Sequence, residues 1–215
     1  VDYDPNFSSG WTTEDSYLGN TTKYRWHVYY ASKGTIGGTH CAACDASMFE
    51  SSTDGTGPRE EMLLSPELTL DDTYQLSFNW KAASASALDK QEYDFQVRVV
   101  EDGDLKNAVT VWSFQDAEAL KESGVANFPW TGWTVYNSKI GLEKYKGKKV
   151  KLAFVYKMLK KIANVVYLDD VKVSKYTPQT APVATLSKTL YNFGDVFIGE
   201  KVWSEVITLK NTGTS

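Results

Sequence analysis

Histidine, cysteine and methionine are scarce in this chain: 2 His, 2 Cys and 3 Met among 215 residues. With only His27 and His40 as bases, a Ser-His-Asp or Cys-His catalytic arrangement must recruit one of them, and neither sits in a recognisable nucleophile context. Excess charge of one sign is missing too. Lys and Arg number 23 against 27 Asp and Glu, a net charge of -4, and the basic residues are dispersed, so there is no electrostatic footprint for nucleic acid. The short run Lys157, Lys160, Lys161 reads as a solvated hairpin tip. No apolar stretch is long enough to span a bilayer, which argues against membrane insertion. Gly37-Gly38 precedes no Lys-Ser/Thr, so there is no phosphate-binding glycine loop. Internal repeats and low-complexity tracts are absent, and the opening VDYDPNF carries no signal peptide. The chain therefore reads as either cytoplasmic or a mature fragment of an exported protein.

What is present is aromatic and alternating. Hydrophobic residues make up 42% and aromatics 13%, with 7 Trp, the composition of a strand-rich globular protein. Trp26, Val28 and Tyr30 alternate with Arg25, His27 and Tyr29. Leu76, Phe78 and Trp80 alternate with Gln75, Ser77 and Asn79, and Tyr93, Phe95, Val97 and Val99 with Asp94, Gln96 and Arg98. This period of two predicts half-buried strands. Val109, Val111 and Trp112 predict another, and Pro66 marks a strand edge or break. The one helical signal is QDAEALKES, ended by Gly124 as a C-terminal cap. Many strands with frequent turns predict an all-β, antiparallel jelly-roll β-sandwich over residues 1-176.

Composition then shifts. Residues 177-183, with Pro178 and Pro182, read as a linker. Residues 184-215 hold further strands with glycine turns at Gly194 and Gly199. They are too few for an immunoglobulin-like sandwich, which needs about 100 residues, and read as the first part of a second domain.

The stretch Tyr145 to Val173 predicts two strands joined as a hairpin. Val150, Leu152, Phe154 and Tyr156 share one face of the first. In the second, Val165, Tyr167, Val171 and Val173 fall on one face, and Val166, Leu168 and Lys172 on the other. Asp169-Asp170 interrupts this apolar run, and adjacent carboxylates there must be exposed, be paired or bind a cation, because an uncompensated buried charge is costly. Cys41-Ala-Ala-Cys44 lacks the second pair or clustered His of a zinc site and the βαβ setting of a redox motif. It reads as two small buried or locally disulfide-bonded cysteines. Glu60-Glu61, Asp71-Asp72 and Asp89 supply carboxylates for glycoside hydrolysis, as any acidic protein would. Phe128 and Trp130, on the loop ANFPWTGW, are candidate ligand-binding aromatics.

The order Gly10-Trp11, Trp26, Leu64-Ser65-Pro66, Leu76-Ser77-Phe78, Trp133, Tyr145-Lys146-Gly147-Lys148, Leu152-Ala153-Phe154-Val155-Tyr156 and Tyr167-Leu168-Asp169-Asp170-Val171 resembles the cleaved-adhesin (gingipain haemagglutinin) and choice-of-anchor J domains, which are similar to MAM domains. The tail, LYNFGDVFIGEKVWSEVITLKNTG, resembles the opening strands of immunoglobulin-like modules. The resemblance implies a jelly roll exported to the surface or medium of a Gram-negative cell, a non-catalytic adhesion or carbohydrate-binding role, and structural calcium. In the family, a Phe-Glu pair at the first strand and the Asp-Asp of the last contribute to a metal site. Here the first pair corresponds at best to Tyr3-Asp4. Because calcium takes six to eight oxygens from several segments, Asp4 and Asp45 are the expected partners of Asp169 and Asp170. The expected partners of the protein are a glycan or a host or matrix protein, and other domains of the same full-length chain. The alternative is an architectural spacer attached to a secreted protease or glycosidase.

Overall fold

In the computed structural model the described residues are 7, 10–15, 26–30, 36, 38–45, 59–82, 93–122, 124–125, 134–158, 165–177, 184–186, 199 and 208–211. The chain forms two compact units, Val1–Tyr176 and Thr177–Ser215.

In chain order the first unit contains β1 (Thr12–Asp15), β2 (His27–Tyr30), β3 (His40–Asp45), β4 (Arg59–Leu64), β5 (Leu68–Thr69), β6 (Tyr74–Ala82), β7 (Tyr93–Glu101), β8 (Val109–Ser113), the short helix α1 (Ala117–Glu122), β9 (Tyr136–Gly141), β10 (Lys149–Met158) and β11 (Val165–Lys175). Among the described residues these strands make two antiparallel sheets. One has the order β1-β4-β10-β7-β8, with β5 also on β10, and the other the order β2-β3-β11-β6-β9. The chain is an all-β sandwich. In the second unit β12 (Ala184–Leu186) pairs antiparallel with β13 (Leu209–Asn211).

Alternation places the core where the pattern requires it. Leu76, Phe78 and Trp80 of β6 face Phe95 and Val97 of β7 and Leu152, Phe154 and Tyr156 of β10 in one buried cluster. Trp26 anchors the start of β2, fully buried, with its indole N–H donating to the carbonyl of Glu61 at 2.9 Å. Pro66 separates β4 from β5, and Ser65 bridges the gap: its hydroxyl accepts from the Leu152 N–H at 2.9 Å, and its own N–H donates to the Leu152 carbonyl at 2.9 Å. The helix forms where the sequence places it. Asp116 caps it by accepting from the N–H groups of Glu118 and Ala119, and Gly124 follows it at φ +87°.

Two expectations are corrected. The strands within Tyr145 to Val173 are not a hairpin: β10 pairs with β4, β5 and β7, while β11 pairs with β3 and β6 in the opposite sheet. Consecutive strands of a sandwich can cross between layers as readily as fold back, and local alternation does not distinguish the two. Lys157 is accordingly not at a hairpin tip. It lies within β10, 3.7 Å from Glu60.

The second correction concerns β11. Asp169 faces Asn79 and Lys172 faces Ser77, so Asp170 and Val171 together oppose the single residue Phe78. This is a β-bulge, and it shifts the alternation by one. Val166 and Leu168 point inward before it, whereas Val171 and Val173 pack on the core after it. A strict period of two puts Val171 and Val173 on the face of Tyr167 instead.

Candidate functional site

The bulge creates the candidate site. Asp170 adopts φ +50°, a left-handed conformation that Asp and Asn tolerate better than other side chains. Its carboxylate is held in place by two amides. Asn137 Nδ2 donates to Asn79 Oδ1 at 2.7 Å, and Asn79 Nδ2 donates to Asp170 Oδ2 at 2.8 Å. Asp169 Oδ1 accepts from the Asp170 N–H at 2.8 Å, closing the turn of the bulge.

Beside these carboxylates is a cavity of about 320 Å³. Its floor comes from both layers, Leu63 of β4 and Ala42 and Leu168 of β3 and β11. Phe7 and Trp11 line it, both half-buried and packed against the core, with the Trp11 ring 6.1 Å from Phe154. At the rim stand Asp169, Asp170 and the exposed His40, whose Nδ1 lies 2.6 Å from Thr39 Oγ1 and whose ring meets Tyr30 edge-on at 4.5 Å. The sequence marks Asp169 and Asp170 for this site, offers His40 only as a possible catalytic base, and does not single out Phe7. Gly10-Trp11, in the motif order of the family resemblance, is the one signal pointing toward the cavity wall.

The structure brings Asp169 and Asp170 together and leaves Asp45 apart. Asp45 is paired with Val165, four residues before Asp169 on β11, a separation of roughly 13 Å at about 3.3 Å per residue. Asp4, Phe128 and Trp130 lie outside the described residues. Among the described residues no group of three or more His, Cys, Asp and Glu side chains could hold a metal. The described donors, two adjacent carboxylates with one oxygen bonded to Asn79, therefore fall short of a calcium shell of six to eight oxygens.

Cys41 and Cys44 are free and buried. Three residues apart on β3, their backbones are separated by roughly 10 Å, beyond the ~7 Å limit for bridging. This removes the local disulfide. Cys44 sits within the core cluster and Cys41 outside it. Burial pushes the Cys41 thiol up to about 11, with the Asp169 charge adding to the effect, and burial also raises the Cys44 thiol well above its ordinary value. Neither thiol is a nucleophile at neutral pH. His27 is 3% exposed. Glu60 and Glu61 are adjacent on β4 and so face opposite sides of the sheet; Glu60 is ion-paired to Arg98, and Glu61 is buried.

The sequence matches no protein-family model and no curated protein. Among solved structures, the chain is similar to the K1 cleaved adhesin domain of Lys-gingipain from Porphyromonas gingivalis W83. The TM-score is 0.54 at 16% identity, over 82% of this chain and 97% of that one. The K3 cleaved adhesin domain of the same protein aligns with TM-score 0.50 at 17% identity, over 81% and 97% of the two chains. TmCBM61, solved in complex with beta-1,4-galactotriose, aligns with TM-score 0.47 at 14% identity, over 78% and 90%. The chain has a cleaved-adhesin-like fold.

Proposed function

We propose that this cleaved-adhesin-like sandwich is a non-catalytic adhesion or carbohydrate-binding module of an exported bacterial surface protein. The observation that carries this reading is the cavity beside the bulge, where aromatic walls from Phe7 and Trp11 meet a carboxylate already fixed by Asn79 and Asn137. Sugar rings pack their C–H faces on aromatic surfaces, and their hydroxyls donate to carboxylates. Cys41, Cys44, His27 and the Glu60-Glu61 pair form no convergent catalytic set: the thiols are un-ionised, His27 is buried, and the two glutamates are divided between two faces. A glycan and matrix-protein screen, run with and without calcium, tests the reading. Saturable binding to at least one member is expected. Binding to none overturns it in favour of a spacer attached to another domain, and substrate turnover overturns it in favour of an enzyme.

Phe128 and Trp130 belong to this proposal as a second aromatic contact. Trp130→Ala is expected to weaken binding in that screen while leaving the melting curve in place. A variant that unfolds assigns Trp130 to packing instead.

Calcium is the competing reading for the same carboxylates, in a set where Asp4 and backbone oxygens join Asp169 and Asp170; an ion there takes the oxygens that a sugar would otherwise use. Because a ligand that binds only the folded state stabilises it, melting with excess chelator is expected to lower Tm by several degrees. An unchanged Tm removes the ion. In the second unit, the antiparallel pair β12 and β13 supports reading 184–215 as the opening of an immunoglobulin-like module.

A further inference from the structure

We infer that the cavity takes one neutral, terminal sugar ring end-on, and not the interior of a glycan chain; this rests on the saccharide-binding reading of the same site. The first ground is its placement. Leu63 comes from one sheet and Ala42 and Leu168 from the other, so the floor lies between the two layers. Interior units of a chain leave in two directions and need a trough along a sheet face, whereas a recess between layers receives an end.

Size gives the second ground. A volume of 320 Å³ equals the share of roughly eleven liquid waters at about 30 Å³ each. That is room enough for one hexopyranose with its hydroxyls.

The third ground is chemistry. Trp11 and Phe7 offer apolar rings to the C–H face of the sugar. The Asp170 carboxylate gives one oxygen to Asn79, and a carboxylate has about four acceptor sites, so capacity remains for a pair of adjacent hydroxyls. The bulge and the Asn137-Asn79 relay fix that carboxylate before any ligand arrives, which lowers the ordering cost of binding. No lysine or arginine is among the described residues lining the cavity, and two aspartates stand at its rim. A ring carrying its own carboxylate or sulfate meets like charge there. The charge at the rim therefore favours a neutral ring.

Titration calorimetry with free neutral hexoses, their linear oligomers, and the same oligomers capped by a uronic or sialic acid tests this inference. Affinity is expected to level off after the first or second ring and to be lost on acidic capping. Asp170→Asn keeps a residue that tolerates the left-handed backbone and an oxygen for Asn79, but removes the charge. It is expected to weaken binding roughly tenfold with the Tm measured in chelator unchanged. His40→Ala, at an exposed rim position, is the second variant and is expected to weaken binding with the fold intact. Affinity that climbs with every added unit, or survives acidic capping, overturns the end-on neutral site and leaves the saccharide-binding reading standing. Binding unchanged in both variants overturns the assignment to this cavity. No binding by any sugar overturns both.

Discussion

Phe78→Ala is expected to cost about 3–5 kcal/mol in urea unfolding. Phe78 is fully buried on β6. Its ring meets Trp112 at 5.3 Å, Phe154 at 5.5 Å and Phe95 at 6.5 Å, each edge-to-face. Those partners come from β8, β10 and β7, so one side chain ties the five-stranded sheet to three strands of the other. Truncation removes the apolar transfer energy of the ring and leaves a cavity between layers that extended backbones on both sides are too constrained to close. A typical domain is stable by only 5–15 kcal/mol, so this variant should unfold well below the parent midpoint. Phe78→Leu, which retains most of the volume, is expected to lose much less. A loss under about 1 kcal/mol for Phe78→Ala would mean that the two layers are not joined through this ring.

The same residue shows what the sequence can reveal. Alternation through Leu76, Phe78 and Trp80, and again through β7 and β10, is legible because one face of each strand is buried and the period of two has no rival. The two-layer class follows from it. Which strand pairs with which does not, since β10 and β11 are adjacent in the chain yet lie in different sheets. Which layer a strand joins is decided by long-range packing, such as Phe78 closing on Phe154 and Trp112 across the layers, and this has no local signature.

The candidate site was legible in half. Asp169-Asp170 stands out as charge within an apolar run, and it does mark the special backbone. The bulge itself is hidden because Val171 and Val173 keep a plausible alternation in either register. The cavity is hidden for another reason: Phe7 and Trp11, His40, and Asp170 are brought together from three distant parts of the chain. Asp45 illustrates the converse, a carboxylate in the correct sheet but placed by its pairing with Val165 too far along β11 to join the pair.

The second large effect is expected at the polar ladder on the outer face of the other sheet. Arg98 of β7 reaches across β10 to Glu60 of β4 with two bonds of 2.8 Å, and its Nε donates to Gln96 Oε1 at 2.8 Å. The ladder continues from Gln96 to Asp94 and from Ser113 to Asp94. The Arg98 and Glu60 side chains are only 14% and 20% exposed. Removing one partner of a buried pair strands the other, which costs about 3–5 kcal/mol when burial is complete. Here Lys157 remains 3.7 Å from Glu60 and some water reaches the pair, so Arg98→Ala should cost about 2–3 kcal/mol. Glu60→Gln combined with Arg98→Met should cost less than the sum of the two single changes, because neither group is then left charged and alone. The pH dependence follows from the same pair. The Arg98 hydrogen bonds, more than its charge, hold the Glu60 carboxyl below its ordinary 4.5. Its contribution is therefore complete above that value and is lost as pH falls through the lowered folded value. Burial raises Asp94 instead, so its destabilisation is present at neutral pH and is relieved as it protonates on acidification. In Arg98→Ala the Glu60 contribution is gone, and stability should fall less steeply with acid than in the parent. A parallel acid profile in the variant would show that the pair does not couple to folding.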